Sequence, residues 1–381
     1  MTDVSIVRCE EYELEGCTRA LLAALEPFGG LDWVREGMRI VIKANLVEAM
    51  KPEKAGTTHP VLLTALTRLL KEKGAHVVIG DSPGQLFNAT VLNHVYAVCG
   101  LGEAEAAGAE LNRNFEQKSV FFPEAKVAKS FTVTDYLENA DAIISFCKLK
   151  SHGMMTMTAA TKNLFGAVPG TMKPEYHFRF HNPMDFADMI IDLNEYFKPR
   201  LYLVDGIMGM EGNGPTAGTP RKIGAVLAAE NCHKLDLVCA KLIGAEPMAV
   251  PTLKAAFDRG LCPQSAEEVE VAGELCPVEG FVLPPQNKSL QFENFLPGKL
   301  GVVFGKIAKK ALQASPKLKE PDACIGCLRC ARLCPAKAIT MVKKKPKIDK
   351  KKCIRCFCCQ EFCPKGALKV HRPLIARILN R

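Results

Sequence analysis

No stretch of this 381-residue chain approaches the roughly eighteen uninterrupted apolar residues that a membrane-spanning helix needs. The start, MTDVSIVRCEEYELEG, lacks the basic segment and apolar core of a secretory leader. There is no G-x-x-x-x-G-K-[ST] and no H-E-x-x-H, which removes P-loop and zincin chemistry. No helix-turn-helix, RNA-recognition or zinc-finger pattern is present, so nucleic acid is disfavoured as a partner. Gly 29 and Pro 24 are ordinary counts, which excludes collagen-like and low-complexity classes. These absences point to the cytoplasm, where cysteines act as thiols, metal ligands or catalysts and seldom as disulfides.

Against that background, 17 cysteines and a net charge of +9 stand out. The charge is divided unevenly. From Lys299 onward there are 22 Lys and Arg against four acids, Glu320, Asp322, Asp349 and Glu361, a net of +18. The remainder is therefore −9. An acidic body carries a basic tail, and two or three domains are expected for this length. The lysine run Lys343, Lys344, Lys345, Lys347, Lys350, Lys351, Lys352 reads as a solvated face or a docking patch for an acidic redox partner. Peripheral contact with an anionic membrane is a weaker reading of the same charge.

Nine of the cysteines lie in that tail. Cys324, Cys327, Cys330 and Cys334-Pro335 follow the spacing C-x₂-C-x₂-C-x₃-C-P, and Cys353, Cys356, Cys359 and Cys363-Pro364 repeat it 29 residues later. Three cysteines at i, i+3 and i+6 wrap one iron–sulfur cube, while the fourth turns away toward the other cube. That logic groups Cys324, Cys327, Cys330 and Cys363 on one [4Fe-4S] cluster, and Cys353, Cys356, Cys359 and Cys334 on a second. Zinc sites use pairs at longer intervals, often with histidine, and no histidine lies between Cys324 and Cys363. Cys358 has no place in the pattern and reads as a spare thiol.

The body alternates strand-like and helix-like segments. Strands are expected at Ser5–Arg8, Arg39–Ile42, His76–Ile79, Ala142–Phe146, Leu201–Val204 and Gly224–Ala228. Helices are expected at Thr18–Pro27, Pro60–Lys73, Phe87–Cys99, Pro183–Tyr196 and Cys232–Ile243. This predicts an α/β fold, a mainly parallel sheet with helices on both faces, plus a small C-terminal α+β ferredoxin-like domain.

Ligands of such sheets sit at the carboxyl ends of strands. There the sequence places Lys43 and Asn45, then Asp81 and Ser82, then Lys148, Lys150 and His152, then Asp205. With Lys162 and Asn163 they outline a pocket for a small anionic molecule. Lys148, Lys150 and Lys162 are expected to hold the anion, and His152, with Lys162, to serve catalysis by moving a proton. Each of these has a duller alternative as a cap, turn or structural residue.

His177 and His181 have the spacing of metal ligands on a helix, but more often line a packed face. Gly209–Gly218 does not match a dinucleotide fingerprint and reads as a tight loop at the pocket rim. Cys147 is the body thiol placed to be reactive. Gly298–Leu318 shows helical spacing of apolar residues among lysines, and His371–Arg381 reads as a short basic helix.

Two resemblances gather these pieces. Over about 50 residues the tail resembles the bacterial two-cluster ferredoxins. Through Lys43-Ala-Asn45, Gly80-Asp-Ser82, Lys148-Leu-Lys-Ser-His152, Lys162-Asn-Leu-Phe-Gly166, Asp205-Gly206 and Glu211-Gly-Asn-Gly-Pro215, residues 35–245 resemble the domain-of-unknown-function family 362. That family supplies no reaction. A fainter likeness, through His152, Lys162 and Pro169-Gly170, is to the N-terminal domain of nickel-dependent lactate racemases. Its spacing departs after Lys162, so none of that family's cofactor chemistry is carried over.

The expected organisation is a body at 1–285, a linker with a basic amphipathic helix at 286–320, a two-cluster domain at 321–370 and a basic tail at 371–381. The expected function is an iron–sulfur oxidoreductase relaying electrons between two [4Fe-4S] clusters and a small anionic substrate or unidentified organic cofactor in the body. The alternatives are a ferredoxin-type carrier without catalysis, and a cluster or cofactor assembly protein.

Overall fold

The computed structural model describes residues 2–284 and 314–371. Most of Gly298–Leu318, and all of the final tail but His371, lie outside the described residues. The edges that are described are strands, Ser315–Leu318 and Leu368–His371, where the sequence suggested helix. The chain divides into two units, Met1–Val282 and Leu283–Arg381.

The first unit is built on one sheet. Its strands are β1 (Val4–Arg8), β2 (Arg39–Lys43), β3 (His76–Gly80), β4 (Glu110–Leu111), β7 (Ala142–His152), β8 (Thr156–Thr158), β9 (Leu201–Glu211), β10 (Thr219–Ala229) and β11 (Val271–Ala272). A separate hairpin pairs β5 (Gln117–Phe121) with β6 (Ser130–Thr134). The order across the large sheet is β11-β1-β10-β9-β7-β2-β3-β4, with β8 folded back on β7. The run β9-β7-β2-β3-β4 is parallel, whereas β10 runs antiparallel to both β9 and β1. The sheet is thus mixed but mostly parallel, as the alternation of elements implied.

Local chemistry explains the elements. Ile40, Val41 and Ile42 are buried on both faces of the sheet, the pattern of a central parallel strand. The helix Pro60–Glu72 opens on a proline, whose missing N–H costs nothing at a helix start. Asn88, Asn182 and Asn231 each accept a backbone N–H as the first residue outside their helices. Leu62, Leu66, Leu69 and Leu70 carry that first helix into the core beside Ile42, Ile79 and Leu92.

Two features of the sheet position the site. Chain order runs β2 to β3 to β4 in one direction, then returns to β7 and β9 on the other side of β2. The carboxyl ends of β2 and β7 are therefore the topological switch point. In addition, β7 pairs with β2 only up to Ser145, then continues for seven residues beyond it. Lys148 and Lys150 lie on this overhang, inside the strand and not after its end as the sequence suggested. Asp205 is likewise interior to β9, which runs on to Glu211.

The second unit shows its duplication in the backbone. Helical turns Arg329–Arg332 and Cys358–Glu361 are 29 residues apart, as are β13 (Ile339–Val342) and β15 (Leu368–His371). Left-handed residues recur at the same offset: Gly326 and Arg355, Leu328 and Phe357, Lys337 and Gly366. β13 pairs with β14 (Lys345–Ile348), and β15 with β12 (Ser315–Leu318). Cys330, Ile339, Cys359 and Leu368 form its small core.

Candidate functional site

Above β2 and β7 lies a buried polar network. Lys43 Nζ meets Asp81 Oδ1 at 2.7 Å, and both side chains are essentially inaccessible. Asp81 Oδ2 accepts the Leu46 N–H at 2.6 Å, and Oδ1 that of Ser82 at 2.8 Å. Asn163 donates to the Lys43 carbonyl and to Ser145 Oγ, both at 3.0 Å, while its Oδ1 faces Lys43 Nζ and Asn45 Nδ2 at 3.3 Å. Asn45 Oδ1 in turn accepts from Lys150 Nζ at 2.6 Å. The short helical turn Leu164–Ala167 closes over this cluster. A Cβ at Gly166 would lie 2.2 Å from Asp81 Oδ1 and 2.4 Å from Lys43 Nζ, so only glycine fits there.

A second buried pair stands beside the first. Lys148 Nζ meets Asp205 Oδ2 at 2.5 Å and the Tyr12 hydroxyl at 2.8 Å. Tyr12 donates to Asp205 Oδ1 at 2.8 Å, and the His59 N–H donates to Oδ2 at 2.9 Å. The Tyr12 and His59 rings stack at 3.5 Å. Burial pushes the His59 imidazole down to about 4, so it is neutral near pH 7. Its Nδ1 accepts the Val61 N–H, leaving the proton on Nε2.

Charge accounting separates the lysines. Asp81 and Asp205 are committed to Lys43 and Lys148 and to backbone N–H groups, so both carboxylates orient lysines and are not themselves anion ligands. Lys150 and Lys173 are buried but hydrogen-bond to neutral oxygens: Lys150 to Asn45 and the Gly56 carbonyl at 2.8 Å, Lys173 to the Ser82 and Val168 carbonyls at 2.7 and 2.5 Å. Burial first, and neighbouring lysines including Lys162, push each down to about 7, against an opposing pull from the Asp81 carboxylate. Lys162 is half-buried, 5.8 Å from the Phe165 ring centre. Among the described residues, the buried Ser82 Oγ meets no hydrogen-bond partner. A lysine-rich network with an orphan hydroxyl is suited to an anion that supplies both charge and acceptors.

His152 takes a different place from the one expected. It is fully buried, and its Nδ1 accepts the N–H groups of Met154 and Met155 at 3.1 Å. The nitrogen that would take a proton is occupied by the β7–β8 turn, which argues against the general-base role. Cys147 is also not a reactive thiol: burial raises its pKa well above the ordinary value. His177 is buried and stacks on Phe186 at 4.3 Å, within a packed helix face. Gly212–Gly218 forms the turn between β9 and β10.

Tyr12, His59 and Lys173 are the residues that sequence reasoning missed. Tyr12 is 193 residues from Asp205, and nothing in its own segment marks it. His59 was visible only as the residue before the helix-opening Pro60.

In the second unit one cavity is lined by Cys324, Cys327, Cys330 and Cys363, with Leu318, Met341 and Leu368 as apolar walls. Electrostatic neighbours sort the same way. Cys330 is raised by burial and then by Cys363, Cys327 and Cys324, while Cys353 is raised by burial and then by Cys356 and Cys334. Cys334 and Cys363 Sγ accept the N–H of Ala338 and Ala367 at 3.2 and 3.3 Å. Among the described residues no three His, Cys, Asp or Glu side chains close on a single metal ion. The thiols instead surround a space, and that arrangement fits an iron–sulfur cube.

The molecule is thus an α/β protein with a buried lysine-rich network at its switch point and a cysteine-rich module of 4Fe-4S ferredoxin type. The chain belongs to the family described as domain of unknown function (DUF362), whose model matches residues 40–241, and a 4Fe-4S dicluster domain matches residues 317–364. A thylakoid-associated protein of Synechocystis sp. is 33% identical over 273 residues, 69% of this chain and 81% of that relative. Among solved structures, the lactate racemase apoprotein of Thermoanaerobacterium thermosaccharolyticum aligns with a TM-score of 0.41 and 14% identity, over 62% of this chain and 56% of that one. A Thermotoga maritima protein aligns with a TM-score of 0.36 and 12% identity, over 57% of this chain and 56% of its own. The chain therefore spans little more than half of each of those structures. Among the described residues no helix is long and apolar enough to cross a membrane.

Proposed function

We propose that the protein is an iron–sulfur oxidoreductase whose body binds a small anionic substrate or organic cofactor at the switch-point crevice. The carrying observation is that, among the described residues, the buried Lys150 and Lys173 hydrogen-bond to neutral oxygens, with Lys162 nearby. Lys150, Lys162 and Lys173 would hold the anion, and Ser82 Oγ and His59 Nε2–H would donate to it. Lys43 and Lys148, fixed by Asp81 and Asp205, shape the floor with Asn45 and Asn163. A lysine that titrates near neutral pH can also give or take the proton that accompanies electron transfer, the role the sequence suggests for His152.

Two [4Fe-4S] clusters are proposed, one on Cys324, Cys327, Cys330 and Cys363, the other on Cys353, Cys356, Cys359 and Cys334. When bound, they supply one-electron transfer. The 17 unpaired thiols suit a reducing compartment such as the cytoplasm.

The test is calorimetric titration of the anaerobically prepared full chain with inorganic phosphate and with a short 2-oxo acid. Binding of either that is lost in Lys150→Met with Lys173→Met supports the reading. Unchanged binding in that variant, or no binding and no co-purifying anion by mass spectrometry, favours an electron carrier with no substrate site.

A further inference from the structure

We propose that the β13–β14 hairpin and the Cys324–Leu328 loop beside it form the docking face for an acidic electron-transfer protein. The face would serve the Cys324, Cys327, Cys330, Cys363 site and not its twin. The inference rests on the iron–sulfur reading above.

The two halves of the duplicated module are close copies in backbone but differ in what they show to solvent. In the first motif Cys327 is exposed, Ile325 is 61% exposed and Leu328 39%. In the second, Cys356 is half-buried, and Phe357, at the position matching Leu328, is 4% exposed. The first loop, whose Ile325, Cys327 and Leu328 also line the cavity between the cysteines, therefore leaves more apolar surface and a cluster-site cysteine accessible, while the second is partly buried from Cys353 to Cys356 and buried at Phe357.

The lysine hairpin is fastened to that exposed loop. Lys345 Nζ donates to the Cys324 carbonyl at 3.0 Å and also to that of Pro321. A Cβ at Gly326 would lie 3.2 Å from both Cβ and O of Lys344, so the glycine permits the close approach. The hairpin tip, Lys343-Lys344, is held in the left-handed conformation at φ 48° and 60°. That turn is normally filled by Asn-Gly or Gly, and here it carries two exposed cations instead. Backbone strain kept at a charged tip motivates a functional reading of it. Val342, 51% exposed, adds an apolar side chain beside it.

The resulting face has an apolar centre, Ile325, Leu328 and Val342, rimmed by Lys343, Lys344 and Lys347. Asp322 is the single acid between residues 321 and 347. An apolar centre within a charged rim is the anatomy of a transient protein interface. Its sign selects an acidic partner, and complementarity of this kind sets encounter rate and register. Lys350, Lys351 and Lys352 carry equal charge but lead into the covered second motif.

The test measures binding of fluorescently labelled flavodoxin, an acidic one-electron carrier, by anisotropy on the full holo chain. Two charge-reversed variants are compared: Lys343→Glu, Lys344→Glu, Lys347→Glu, and Lys350→Glu, Lys351→Glu, Lys352→Glu. The hairpin triple should weaken binding about tenfold or more at low ionic strength, with the difference vanishing in high salt. The control triple should weaken it by less than about threefold. Equal effects of the two triples, or no effect of the first, would overturn the proposal. So would phosphatidylserine vesicles that bind the wild type through these lysines while flavodoxin does not. A wild-type chain that takes up no iron overturns the underlying reading instead, and it is recognised by metal content before any binding is measured.

Discussion

At the scale of single residues, two buried lysine–carboxylate pairs and two buried lysines that, among the described residues, hydrogen-bond to neutral oxygens make up the candidate site. Removing one partner of a buried pair leaves an uncompensated charge, which costs about 3–5 kcal/mol. Asp205→Asn should therefore destabilise the body by that order in urea denaturation. Asp205→Leu combined with Lys148→Met should recover most of the loss, because no buried charge then remains. If the double variant were no more stable than the single, the pair would not be what Asp205 supports. Lys150 and Lys173 give a pH signature. Lysine ordinarily titrates at 10.5, and here both fall to about 7. Between those values the unfolded chain binds more protons, so stability should rise as pH increases from about 7 toward 10.5. Anion binding needs the charged form. Affinity should fall by up to about tenfold per pH unit per lysine above pH 7, with proton uptake on binding. Calorimetry in buffers of different ionisation heat checks this, and binding with no proton uptake at pH 8 would remove the lysines from the site. The sequence exposed Lys43, Asn45, Asp81 and Lys150 because each follows or extends an apolar strand. It hid Tyr12 and Lys173 because a contact across more than 90 residues leaves no local pattern.

At the scale of elements, the overhang of β7 and the turn Leu164–Ala167 decide the geometry. The turn packs so closely on the Lys43–Asp81 pair that Gly166→Ala must displace it. Overpacking of this kind costs about 1–3 kcal/mol. The variant should keep its far-ultraviolet circular dichroism yet lose anion binding, and normal affinity would show that the turn does not govern the crevice. Element positions were legible because strand runs such as Arg39–Lys43 and caps such as Asn88 and Asn231 act locally. The lengths of β7 and β9 were not legible. Lys148, Lys150 and Asp205 break the apolar run, and only their pairing with other buried groups lets the strands continue through them. His152 is tied to the turn in a related way. A histidine beside lysines suggests catalysis, but the short return from β7 to β8 needs an acceptor for two backbone N–H groups.

At the scale of the whole molecule, an α/β body of the DUF362 family and a 4Fe-4S module share one chain. The duplication at a 29-residue offset was readable from cysteines alone, and the backbone repeats it in turns and left-handed residues. The difference in exposure between the halves was not readable, since Leu328 and Phe357 are both apolar. The proposed crossing of ligands between the two motifs predicts a specific defect. Cys363→Ser should disturb the site of the first motif, so that electron paramagnetic resonance shows one cluster lost or altered and the other intact. Loss confined to the second motif's site would refute the crossing. The most direct measurement is the iron and acid-labile sulfide content of the full chain purified without oxygen. Two [4Fe-4S] clusters require roughly eight of each per chain. A folded chain that is colourless and free of iron, and stays so after anaerobic reconstitution, would end the iron–sulfur reading.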